Sequence, residues 1–393
     1  MPYKARVKQG EARKREKFWY RVTNARAYNQ SLQKRGMISL YFPSGELKAQ
    51  FINARPYTRG VSGREPTYTA GYIELIYTFY RLFGWGMRQI TGYVKDYWAT
   101  RGLDIAVPSS GQLCDRFAAL EVCVTQRCVM LARRLACGEA VSMIVDSTGL
   151  SFGRASQWYE QKYGQQPTYT PWRKMHLGID ADMNIHAIRI TTTEVSDSEG
   201  MDAVLPVDVP VDRVIADGAY YSIERTGMLS RAGVTPVIPP PAHAVVRERE
   251  PTRWHDQIVK YIQDNGIYAF HKKYGYGLRS RVEAQISRIK RCIGATLLTQ
   301  KITSQQSEGV IIANLINLWN AFGKPVCVKN AWLRPRHGNS YPSEESRDAR
   351  AGVQHADLDR FRGTTRVFTG HFAFDTDGKE VRARAVRSWC ATH

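Results

Sequence analysis

The chain has 393 residues, and its 43% hydrophobic and 11% aromatic side chains are enough to fill the cores of two or three domains, which excludes a disordered polypeptide. With 56 Lys and Arg against 36 Asp and Glu it carries a formal charge of +20, so the expected partner is a polyanion, nucleic acid first, with a basic protein merely kept soluble by its charge as the alternative. The N-terminus lacks the apolar stretch of a secretory signal, and "YIELIYTFYRLFGWG" and "IIANLINLWNAFG" are too short or too interrupted to span a bilayer, so a cytoplasmic protein without a membrane partner is expected.

Residues 1–16 are dense in Lys and Arg and read as a basic arm, the start of a small N-terminal segment over residues 1–67. Within it "ARAYNQSLQKRG" predicts a helix ended by Gly36, and "MISLYF" a strand stopped by Pro43; a Gly- and Arg-rich linker then runs to about Thr67. Residues 68–137 read as helices. Ile73, Ile76, Tyr77 and Tyr80 share one face, as do Ile90, Tyr93, Val94, Tyr97 and Trp98 in the next helix. A third helix begins where Ser109 and Gln112 have capping-box spacing. Three helices with short connections suit a helix-turn-helix-like DNA-binding region, with "SSGQLCDRF" as recognition helix and Gln112 and Arg116 as its base-reading side chains; a structural or dimerising bundle is an equal alternative. The seven cysteines show no C-x-x-C spacing, which argues against zinc or a disulfide framework, and are expected to be reduced and mostly buried.

Residues 138–330 change period to an α/β pattern. "VSMIVD", "HLGID" and "IHAIRI" predict a meander with "DADMN" as one turn, while "RVIAD" and "TPVIP" flank the helix "SIERTGMLSRAG" as a βαβ unit. An insertion near 240–274 follows, then the helix around "YGLRSRVEAQISRIK" and the apolar helix "GVIIANLINLWNAFG". Residues 331–393 turn polar and Arg-rich and read as a weakly structured tail, with a hairpin possible in "FAFDTDGKEVRARAV".

Asp146 in "IVDSTG" and Asp217 in "IADGAYYS" each close a predicted strand. If those strands are neighbours, the two carboxylates converge, and Glu283 from a helix on the sheet completes an oxygen-rich site for divalent cations and phosphoryl transfer. Each acid alone reads equally as a turn former, and Glu283 as one half of an ordinary i,i+4 ion pair with Arg279. On a helix Tyr276, Arg279, Glu283 and Lys290 share one stripe, so the acid is presented among cations. Trp172, Arg173 and Lys174 can stack on and grip DNA, although Trp172 reads as well as a strand-edge core residue. His176 and His186 receive no role, and Asp180 and Asp182 read as turn formers.

Tyr276, two residues, Arg279, three residues, Glu283, six residues and Lys290 reproduce a family signature at every interval. With "VDSTGL", "WRKMHLGID", "ADGAYYS" and "VIPP", the chain from about residue 17 to 325 resembles the DDE transposases of bacterial insertion sequences, specifically the insertion-sequence-five group of the insertion-sequence-four superfamily. The resemblance implies a ribonuclease H-like catalytic domain in which Asp146, Asp217 and Glu283 hold two Mg²⁺ ions, with Mn²⁺ able to substitute. It implies cleavage at the terminal inverted repeats of an element, then attack of the freed 3′ hydroxyl on target DNA. Arg279 and Lys290 would grip phosphates and Tyr276 would support the same strand. A homodimer on double-stranded DNA, associated with the bacterial nucleoid, is expected. Residues 331–393 lie outside the resemblance. Two other readings are a transposase-derived DNA-binding protein that no longer cuts, and a ribonuclease H-like nuclease that never joins strands.

Overall fold

The computed structural model describes residues 20–52, 68–153, 171–206 and 209–329. The basic arm, the linker of residues 53–67 and the tail with its expected hairpin lie outside the described residues.

Helix α1 (Ala25–Arg35) ends at Gly36 as its sequence predicts. The expected strand "MISLYF" is instead a 3-10 turn over Ile38–Tyr41. Among the described residues no neighbouring strand supplies hydrogen bonds there; Tyr41 turns its hydroxyl to the Arg35 carbonyl and accepts from the Trp319 indole, which favours a local turn. The short α2 (Leu47–Phe51) leads to α3 (Ala70–Phe83), α4 (Met87–Thr100) and α5 (Ser110–Ala119). The apolar stripes of these helices form one aromatic-rich core with Tyr72, Ile76, Tyr77, Ile90, Trp98 and Phe117 at its centre. The capping box at α5 forms as expected, Ser109 and Gln112 each accepting from the other's backbone amide. Helix α6 (Val129–Ala136) follows. The six cysteines among the described residues are unpaired, and all but the half-buried Cys128 are exposed, which corrects the expectation of burial.

The sheet that follows has strand order β4-β3-β2-β5-β6. Strands β2 (Val141–Phe152), β3 (Trp172–Ile179) and β4 (Ile185–Thr191) form the antiparallel meander. After the short α7 (Asp197–Asp202), strand β5 (Val211–Ile215) lies parallel to β2, and α8 (Ile223–Arg231) crosses over to β6 (Thr235–Val237), parallel to β5. One face carries Ile144, Leu150, Leu177 and Ile190 against helices α9 (Arg253–Asn265), α10 (Ile267–Tyr274), α11 (Ser280–Cys292) and α12 (Ile302–Phe322). The other carries Met143, Val145 and Val214 against α6 and α7, where Leu131 and Met201 are buried. A mixed sheet covered by helices on both faces is compatible with a ribonuclease H-like domain.

Two short elements complete the frame. Strand β7 (Thr296–Leu297) extends the end of β2, and β8 (Cys327–Lys329) pairs antiparallel with β1 (Tyr20–Val22). Helix α12 is apolar on more than one side: Ile312, Ala313, Ile316 and Trp319 pack into the sheet's core, while Ile311 and Leu315 pack into that of the N-terminal helices. Arg81 of α3 and Glu308 of α12 form a fully buried ion pair at 3.2 Å. Arg81 also donates to the Thr296 carbonyl, and Glu308 accepts from the amides of Leu298 and Thr299.

Candidate active site

Asp146 does not end its strand. It lies mid-way along β2, because residues 144–151 continue through eight registers of pairing with β3, from Ile144↔Ile179 to Ser151↔Trp172. What ends at Asp146 is the parallel pairing with β5, whose last register is Ile144↔Ile215. Asp146 lies two residues beyond that register within β2, and Asp217 two residues beyond the end of β5, so both stand where the two strands part. Asp217 caps a 3-10 turn over Gly218–Tyr220, accepting from the Ala219 amide.

Glu283 arrives from α11. Val282, Ile286 and Ile289 of this helix recur at helical spacing and are buried against Ile144 and Leu150 of the sheet. That anchoring leaves Glu283 and Lys290 on the flank that overlooks Asp146. The expected continuous helix from Tyr276 is interrupted: Gly275, with φ 73°, ends α10 in the left-handed region that glycine adopts without strain, and Tyr276–Arg279 form a 3-10 turn before α11 begins. Tyr276, Arg279 and Glu283 nevertheless come together, Arg279 lying 6.0 Å over the Tyr276 ring and bonding to Glu283.

Arg279 joins the acids. Its guanidinium donates to Glu283 Oε1 at 2.6 Å and stands 3.9 Å from Asp146 Oδ2. Burial raises the Asp146 carboxyl above its usual range, the nearby Asp217 and Glu283 raise it further, and the Ser147 amide and Arg279 oppose them. Against the cost of its own burial, Glu283, Tyr276 and Asp146 hold Arg279 firmly protonated. Tyr276 stacks on His271 with ring centroids 4.4 Å apart, and burial pushes its hydroxyl up. Lys290 Nζ donates to Thr148 Oγ1 at 2.6 Å, two residues along β2 from Asp146 and on the same face.

The three acids supply oxygen ligands only, the set that hard divalent ions take. Among the described residues no three acid, His or Cys side chains converge on a single point. Between Asp146 and Glu283 stands the Arg279 cation, a charge of the sign the acids call for.

The "WRK" residues diverge. Trp172 and Lys174 pair with Ser151 and Gly149, so they stand on the face opposite to Asp146. The Trp172 ring covers Gly149, where any side chain would lie 2.6 Å from it, and it is 47% exposed rather than a core residue. Arg173 shares the face of Thr148 but donates to Gln305 of α12 and lies over the Phe152 ring. In α5, Gln112 spends its side chain on the cap, and Arg116 donates to the Tyr68 carbonyl, lying 5.4 Å over that ring. Those contacts favour the bundle alternative over a base-reading helix. The sequence reading missed Thr148 as the partner of Lys290, and missed Ser147 and Asp197 behind Asp146; no local pattern marks them, since their roles depend on sheet register.

A family model described as a transposase DDE domain matches residues 139–318, which hold all three acids. A second model of the same description matches residues 33–154, running from the end of α1 through Asp146. The chain carries a transposase DDE domain. Transposase function on DNA is thereby indicated, and the second match reaches across helices α2–α6 into β2. No solved structure matches the chain at a significant level. Among the described residues no helix of the DDE protein is long and apolar enough to cross a membrane.

Proposed function

We propose that the chain is an insertion-sequence transposase, of the insertion-sequence-five group, that binds the terminal inverted repeats of its own element as a homodimer, cleaves the ends and joins the freed 3′ hydroxyl to target DNA. The observation that carries this reading is the reach of Arg279 to two of the three acids, 3.9 Å from Asp146 and 2.6 Å from Glu283, beside the place where β2 and β5 part.

In this reading the three carboxylates would hold two Mg²⁺ ions, or Mn²⁺ in their place, which when bound activate the attacking oxygen and stabilise the leaving one. Water attacks the phosphodiester at the element end and leaves a 3′ hydroxyl; that hydroxyl then attacks a target phosphodiester, forming one new bond and releasing one target 3′ hydroxyl. Arg279 leaves the carboxylates to meet a phosphate, for which its planar fork is suited, and Lys290 supplies a second phosphate contact beside Thr148. Tyr276 supports the same strand by stacking or through its hydroxyl. Arg173 contributes positive charge at the margin of this face. The helical region adds a basic surface through Arg88, Lys95 and Arg101, which are exposed on and just beyond α4, rather than through α5.

The test is Glu283→Gln, which keeps shape and helix propensity but removes charge. End binding is expected to survive, while Mg²⁺-dependent cleavage and joining fall by about 10³-fold or more. Labelled element ends, Mg²⁺ and a target plasmid give joined products if the reading holds. Cleavage without joining would identify a nuclease, and binding alone a transposase-derived DNA-binding protein. A Glu283→Gln protein that cleaves and joins at wild-type rates would remove the residue from the site.

A further inference from the structure

Helix α11 carries cations on a second flank. At about 100° per residue, Arg281, Ala284, Arg288 and Arg291 share a stripe roughly 120° round the helix from Glu283, and Arg281 and Arg291 are exposed on it. Arg288 is half-buried and reaches α12, where its Nη1 donates to Asn320 Oδ1 at 2.5 Å. Arg35, the last residue of α1, comes to the same place: its guanidinium lies 5.2 Å over the ring of Trp319, the neighbour of Asn320.

Two guanidinium groups are thus brought together without an acid between them. Among the described residues neither forms an ion pair, and Arg35 Nε is buried with no hydrogen-bond partner. Burial first, and then the charge of Arg35, lower the Arg288 pKa to about 10, against the opposing effects of Cys292 and Tyr28. A helix C-terminus and a cation–π contact explain one cation at Trp319. They do not explain a second one beside it.

We infer that Arg35 and Arg288 together hold one phosphate of the DNA backbone, in a track that Arg281 and Arg291 extend along α11, apart from the flank that carries Glu283. The inference rests on the reading that the chain acts on DNA, and on no role of the three acids. A phosphate between the two guanidinium groups removes their repulsion and has oxygens enough to accept from both forks at once. In turning toward it Arg35 gives up no hydrogen bond of its Nε. DNA fits better than an acidic peptide because the cations stand in line. From Arg281 to Arg291 the stripe runs about 15 Å without an acid, which suits a ligand whose charge repeats along its length.

The test uses the full-length protein and a random-sequence duplex, with affinity followed by fluorescence anisotropy over a series of salt concentrations and self-association by sedimentation. Arg35→Gln and Arg288→Gln are each expected to weaken binding about tenfold near physiological salt and to lower the salt slope by about one. Because the two arginines hold one phosphate, the double variant is expected to lose no more slope than either single variant. Melting temperatures without DNA are expected to stay as in the wild type or rise, since each substitution relieves the other cation. The inference is overturned if both single variants bind as the wild type does, or if the double variant loses twice the slope of a single one, the behaviour of two independent contacts. Altered self-association with unchanged duplex affinity also overturns it, and gives the pair to a carboxylate of a second copy. Should Arg288→Gln, which disturbs Asn320 as well, fail to fold, the slope of Arg35→Gln decides alone. A wild-type protein that binds no duplex at low salt would instead show that the DNA reading itself is wrong.

Discussion

Asp146 sits in a place that costs the fold something. Burial and two neighbouring carboxylates raise its pKa, so the folded state holds that proton more tightly than the unfolded chain does. Stability is then highest below the ordinary aspartate range and falls as pH rises through the raised value. Asp146→Asn removes the penalty, and its melting temperature is expected to exceed the wild type's at pH 7, with the gain vanishing below about pH 4. Equal melting temperatures at both pH values would show that Arg279 already cancels the repulsion. Lys290→Ala leaves the acids in place and frees Thr148; cleavage is expected to fall roughly 10- to 100-fold with Mn²⁺ binding unchanged. The spacing of Tyr276, Arg279, Glu283 and Lys290 was legible because it needs only helical periodicity, and it survives a 3-10 first turn. The approach of Arg279 to Asp146 was not, since it depends on which strand α11 packs against.

The elements show where local signals rule and where pairing overrides them. "DSTG" reads as a turn, yet it runs straight through β2, because eight registers with β3 satisfy its backbone and Gly149 makes room for the Trp172 ring. "DADMN" reads as a turn and is one. Asp180 accepts from the amides of Asp182 and Asn184, from the Asn184 side chain and from His186. Burial pushes the Asp180 carboxyl up, but the hydrogen bonds from His186 and Asn184 outweigh it and hold it below the usual carboxylate range. Its contribution is therefore present above about pH 4 and lost as pH falls through the depressed value. Asp180→Ala leaves several donors without an acceptor and is expected to cost about 3 kcal/mol in urea unfolding at pH 7, and much less at pH 3. "MISLYF" had the composition of a strand and, among the described residues, no partner to pair with.

Across the whole molecule, the charge of +20 predicts that affinity for any duplex falls steeply between low and physiological salt, as contacted phosphates release their counterions; a flat response would contradict DNA binding. The N-terminal helices and the sheet share α12 and the buried Arg81–Glu308 pair. Removing one partner by Arg81→Met leaves a buried charge alone and is expected to cost about 3–5 kcal/mol. Both regions should then melt in one transition, followed by near-ultraviolet dichroism of the aromatic core and by far-ultraviolet dichroism together. A chain stopped after residue 330 keeps β8 on β1 and is expected to retain joining activity.

The shared helix also sets an order in time. A ribosome delivers residues 70–119, with their tyrosines and phenylalanines, and then strands β2 to β6, long before residues 302–322 exist as chain. Neither core can close until that last helix emerges, so the early helices must wait with apolar faces uncovered. For this protein folding is postponed until residues 302–322 have emerged, and a chaperone that shelters the waiting faces becomes part of making the enzyme.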